Sequence, residues 1–181
     1  MTRQIILILA SAVVIAALIF ILGSDKKSTP NESVQNTIDD KTFLLNMIPH
    51  HQEAVDTATE VIERGGVIPE VKTLAKDIIE AQKREIADMK KWYEEWYGKP
   101  YVYTGEYAPM MRELEGLSGK DIDIAFTTDM WMHHMGAIHL AQAVLQNTQK
   151  PELEEMGNNI LVVQQQEMLL MEEILRNNIT N

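Results

Sequence analysis

Apolar positions recur every three to four residues along most of the chain. Phe43, Met47, Ala54, Val55 and Ala58 share one helical face, and Val71, Leu74, Ala75, Ile78, Ile79, Ile86 and Met89 share another. No stretch alternates as a strand would, so the pattern predicts an all-α protein. Four helices are expected, over about 40–64, 69–97, 122–147 and 151–176. Asp39 or Asp40, and Asp121 or Asp123, are candidate N-caps; Gly65-Gly66 ends the first helix, and Pro69 and Pro151 suit first turns. The connector between the second and third helices is irregular, with a short helix expected over Pro109 to Leu117.

The pattern changes at the amino terminus. From Ile5 to Leu22 the chain is apolar without a break except at Ser11, and the run is long enough to span a bilayer. It is longer than a usual signal-peptide core, and no Ala-x-Ala-like cleavage site follows it. We therefore expect residues 1–22 to be a transmembrane anchor or signal segment, with the anchor favoured. Arg3 on one side and Lys26 and Lys27 on the other leave its orientation open. Residues 23–39, rich in Ser, Thr, Asn and Lys, read as a flexible linker. Residues 40–181 form the folded domain.

That domain repeats itself. Asp40, Phe43, Met47, His50, His51, Ala54 and Ala58 recur, all at one constant offset, as Asp123, Phe126, Met130, His133, His134, Ala137 and Ala141. After one deletion, Pro69, Glu70, Ile78, Gln82, Glu85 and Met89 recur as Pro151, Glu152, Ile160, Gln164, Glu167 and Met171. Repeat one is placed at 40–97, the connector at 98–120 and repeat two at 121–176. Two helical hairpins, each with a buried stripe, close best as a four-helix bundle with a pseudo-twofold axis.

Composition narrows the chemistry. The net charge of −11 disfavours nucleic-acid partners and favours cations. The absence of cysteine removes disulfides, thiolate metal clusters and a cysteine nucleophile. No Ser-His-Asp arrangement, phosphate-binding loop or cofactor fingerprint is found, so the reading leans against an enzyme.

All five histidines lie in the two corresponding helices, four of them as the repeated pairs His50-His51 and His133-His134. Helical spacing turns both pairs towards the apolar side. A buried imidazole needs hydrogen-bond partners or a metal, since leaving it unpaired costs on the order of 1–3 kcal/mol. Antiparallel pairing sets His51 level with Gln82 and near Glu85, and His134 level with Gln164 and near Glu167. Each half then offers two His, one Gln, one Glu and one Met, Met47 or Met130, although methionine at such positions also serves as core filler. A metal-free hydrogen-bonded layer is the competing reading. Pro49 falls inside the first helix, where it deletes a backbone bond beside His50. Met132, Met135 and His139 share a second face of the third helix, present in one half only, and are candidate soft ligands or an exposed methionine patch.

The segments FLLNMIPHHQEAVDTA with QKREIADM, and FTTDMWMHHMGAIHLA with QQQEMLLM, resemble the family known as domain of unknown function 305 over about residues 40–176. The resemblance implies a ferritin-like helical fold, export from the cytoplasm and, in some members, copper binding by His and Met. Met110 and Met111 fall in a connector that often carries methionines in that family.

Imidazole and thioether without thiolate suit copper, as Cu(I) or Cu(II), better than hard cations. The expected function is extracytoplasmic copper binding for tolerance, storage or delivery, at the periplasmic or cell-surface side of a membrane. Two alternatives stand beside it. A ferritin-like di-iron or di-manganese oxidase would need more carboxylates. A metal-free module would dock an envelope protein, and self-association is open in either case.

Overall fold

The computed structural model describes residues 37–64 and 66–179. The apolar run 5–22 and most of the linker lie outside them; among the described residues no helix is long and apolar enough to cross a membrane. Four helices and no strand are present among the described residues: α1 (Asp40–Arg64), α2 (Pro69–Tyr97), α3 (Gly119–Leu145) and α4 (Pro151–Ile179).

Local chemistry sets most of the boundaries. Asp39 Oδ1 accepts the Thr42 N–H at 2.6 Å, which caps α1. Pro69 and Pro151 open α2 and α4, where a missing N–H costs nothing. Gly98, at φ 69°, closes α2 in the left-handed conformation and donates its N–H to the Glu94 carbonyl. Helix α1 runs unbroken through the buried Pro49.

Two expectations fail. Helix α3 starts at Gly119 behind Ser118, so Asp121 lies in its first turn and Asp123 inside it; neither is its cap. Residues 109–117 form no helix. Their backbone groups are bound from outside: Met110 and Met111 N–H by Glu53, Arg112 N–H by Asp129, and the Leu114 and Leu117 carbonyls by Arg64. A segment whose polar groups are met by the bundle gains little from bonding to itself.

The hairpins α1–α2 and α3–α4 join chiefly along α1 and α3, which run antiparallel. One apolar cluster gathers Ala58, Val61, Leu74 and Ile78 with Ile122, Phe126, Met130 and Ile174. The other gathers Phe43, Met47, Ile86 and Met89 with Ala141, Val144, Leu153 and Ile160. Full burial of each large side chain stabilises by about 1.5–3 kcal/mol. Between the clusters, at mid-height, lie His50, His51, Gln82, His133, His134 and Gln164, all buried.

Asp123 fastens one hairpin to the other. It is fully buried, and its Oδ2 accepts the N–H groups of Val67 and Ile68 at 2.6 and 2.7 Å, at the turn that opens α2. Gly66 makes room for it, since a Cβ there would overlap Asp123 Oδ1. Losing two charge-assisted bonds should destabilise the fold, so Asp123→Ala is expected to lower the unfolding free energy by about 2–3 kcal/mol in urea titrations. Gly66→Ala should act in the same direction by displacing the carboxylate. A change below about 0.5 kcal/mol, the usual range of surface substitutions, would deny the clamp its role.

Candidate metal centre

Helical spacing puts both His pairs on the α1–α3 seam, where the two middle rings meet. His50 and His133 stack with centroids 3.6 Å apart and planes tilted by 33°. Carboxylates from the periphery reach three of the four rings. His51 Nε2 bonds Glu85 Oε2 at 2.8 Å, His134 Nε2 bonds Glu167 Oε2 at 2.8 Å, and His133 Nε2 bonds Glu53 Oε2 at 3.1 Å. An ionised carboxylate only accepts, so Nε2 carries the hydrogen in each case and the lone pair of the neutral ring rests on Nδ1. Those three Nδ1 atoms are buried without a partner. His50 has no partner at either nitrogen, and the Gln82 and Gln164 carbonyl oxygens are also unpaired.

The electrostatics keep the middle rings neutral. Burial, then the neighbouring His133, His51 and His134, hold His50 well below the ordinary imidazole range, against a smaller upward pull from the His133 backbone. Burial also lowers His133, against the opposing pull of Glu53. Burial would raise Glu53, but bonds from His133, Tyr107 and the Met111 N–H outweigh it and leave the carboxyl lowered. Tyr107, half-buried and bonded to Glu53, is raised and stays protonated. The middle of the layer, His50 and His133, is therefore neutral imidazole, the protonation state a metal ligand needs.

The expected residues divide into three groups. His50, His51, His133 and His134 come together, with Glu85 and Glu167 holding the outer rings. Met47 and Met130 are buried in the two apolar clusters, above and below the layer. Met132 is 57% exposed and His139 is exposed, with Met135 partly buried, so their shared face points away from the seam. Among the described residues, no three His, Asp or Glu side chains are already set as a cage. The donors present are lone pairs facing a packed interior.

Glu53 escaped the sequence reading. It lies on α1 yet binds a histidine of the other half, and its Oε1 accepts the N–H groups of Met110 and Met111 at 2.8 and 3.0 Å. The available signal was a break in the repeat, because the offset that carries His50 onto His133 carries Glu53 onto Gly136.

Residues 40–175 match the profile described as domain of unknown function (DUF305). The chain belongs to the DUF305 family. Its fold resembles the structure of CopM in the Cu(II)-bound form, with a TM-score of 0.71 and 32% identity over 78% of this chain and 98% of CopM; CopM is also known in Cu(I)-bound and Ag-bound forms. A DUF305 protein from Streptomyces coelicolor, provisionally described as secreted, gives 0.65 and 26% over 75% of this chain and 91% of its own. An uncharacterized protein of Acanthamoeba polyphaga mimivirus, L153, is 41% identical over 61 residues, which cover 34% of this chain. That match spans only 40% of the viral protein.

The lowered His50 and His133 values fix a pH dependence. Above the ordinary imidazole value of about 6.5, neither the folded nor the unfolded state protonates these rings, and they add no slope. Below it the unfolded chain takes up protons that the folded chain refuses, so stability falls with pH, by up to about 1.4 kcal/mol per pH unit for each ring. Denaturant titrations of the metal-free protein between pH 7 and 5 should show this loss, and His50→Gln should flatten it.

Proposed function

We propose that this DUF305 domain binds copper through its imidazole layer and serves in copper tolerance, storage or delivery outside the cytoplasm, without catalysing a reaction. One observation carries the reading: three buried rings give Nε2–H to carboxylates and keep unpaired Nδ1 lone pairs, while neither nitrogen of the fourth makes a hydrogen bond of ordinary geometry. A carboxylate on the far nitrogen orients a metal-ligating imidazole and raises its basicity. A purely structural layer would instead satisfy its polar atoms, as nearly all native interiors do. The CopM structures with Cu(I), Cu(II) and Ag support the choice of metal, as does the soft donor set of imidazole and thioether.

His51, His133 and His134 would supply Nδ1, with Glu85, Glu53 and Glu167 orienting them. Met47 and Met130, which bracket the layer, would add preference for Cu(I). A di-iron or di-manganese centre is less well served, because each of the three carboxylates at the layer is already bonded to an imidazole. The apolar run 5–22 supports a membrane anchor, and the Streptomyces relative supports export.

Replacing His51 and His134 together by Ala should weaken copper binding by about 100-fold or more, the upper range for disturbed metal sites. Circular dichroism should show the helices retained. Unchanged copper affinity in the double variant, or iron as the metal of chelator-free wild type, would overturn the assignment. For location, protease added to intact spheroplasts should digest residues 40–181; protection until the membrane is lysed would reverse the orientation.

A further inference from the structure

Helix α4 buries one face, through residues such as Leu153, Ile160, Met171 and Ile174, and leaves the opposite face open. Helical spacing puts Glu155, Asn158, Val162, Gln165, Leu169 and Arg176 in one stripe along that open face, with Gln166 and Glu173 at its edge. Val162 is 56% and Leu169 66% exposed. Scattered exposed apolar residues are ordinary on a protein surface. Two properties set this stripe apart.

The first is charge. On α2, every exposed residue from Lys72 to Asp88 is charged except Thr73 and Ala87. On α4, every exposed residue between Glu155 and Glu172 is uncharged. Two molecules that each carry −11 repel one another, so a second copy meets least opposition where the facing surface is neutral. The second property is symmetry about Gln165-Gln166. Three residues out on either side stand Val162 and Leu169, seven out Asn158 and Glu173, and ten out Glu155 and Arg176.

We propose that α4 is the interface of a two-fold homodimer, in which the stripe of one copy lies antiparallel on the same stripe of a second, with the axis at Gln165-Gln166. A two-fold contact is reciprocal, so each pairing forms twice. Val162 packs on Leu169 of the second copy. The Gln165 and Gln166 amides, which both donate and accept, bond across the axis, and Asn158 donates to the carboxylate of Glu173. Glu155 faces Arg176. Parallel pairing would instead set Glu155 against Glu155 and Arg176 against Arg176, so charge selects the antiparallel orientation more than it adds affinity. The stripe is about 32 Å long and about 10 Å wide, so it covers on the order of 300 Å² per copy, below the roughly 800 Å² of a standard interface. The dimer is accordingly weak and reversible. It goes beyond the copper reading and uses none of the imidazoles.

The chain has no cysteine, so a single introduced cysteine can form a disulfide only between copies. The test is diamide oxidation of the metal-free full chain in detergent solution. Gln165→Cys should crosslink to itself. Val162→Cys and Leu169→Cys should crosslink efficiently when mixed and poorly when alone, because each lies beside the other across the axis and well away from its own copy. Ala87→Cys, exposed on α2, should stay monomeric. In sedimentation equilibrium, Leu169→Glu should weaken dimerisation about tenfold or more, since symmetry counts the change twice. Glu155→Arg and Arg176→Glu should each reduce Gln165→Cys crosslinking, and the two together should restore it. Val162→Cys crosslinking to itself would mean parallel pairing and overturn the proposal. So would crosslinking at Ala87→Cys equal to that at Gln165→Cys, no regain in the charge-swapped double variant, or no crosslink at any α4 position, the result expected if the stripe docks a different protein.

Discussion

Four imidazoles packed between two helices must each find a partner for one N–H and one lone pair, and the bundle is arranged around that demand. Glutamates at the rim supply acceptors for three rings, and they do so from three different helices, α1, α2 and α4. The two apolar clusters flank the layer, one on each side. The outcome is an interior with acceptors provided and donors wanting. An interior of that kind is stabilised by binding any species that accepts electron pairs from those atoms.

Much of this was legible in the sequence because it depends on periodicity and repetition. The constant offset between the repeats located both hairpins and both His pairs, and antiparallel pairing placed Glu85 and Glu167 one turn from the rings they bind. Pro49 inside α1 was likewise foreseen from the apolar positions on both sides of it. What was not legible depends on contacts between halves. Asp123 looked like a cap for its own helix, yet it serves the turn before α2, a distinction set by how the hairpins dock. The connector at 109–117 carries residues acceptable in a helix, but Glu53, Asp129 and Arg64 claim its backbone. Met132, Met135 and His139 have ligand chemistry and helical spacing; only the rotation of α3 in the bundle shows that they face outwards.

Duplication followed by divergence explains why the seam is lopsided. A perfectly symmetric bundle would offer the same environment to His50 and His133. The exchange of one residue type at positions 53 and 136 gives the His133 ring a carboxylate and leaves a glycine beside His50. Small changes suffice because the rings are stacked and buried, so a single neighbouring atom decides which hydrogen bonds exist.

The Asp123 clamp also bears on the order in which the chain can acquire its shape. Its carboxylate must reach back to the amides of Val67 and Ile68, so the turn between α1 and α2 lacks its acceptor until α3 has been made and docked. During amino-terminal-first synthesis the first hairpin is thus left with an unfinished turn and an uncovered apolar stripe. Long-range closures of this kind slow folding relative to bundles held by local contacts alone. The first repeat is consequently a dependent half, completed by the second and not a small domain in its own right.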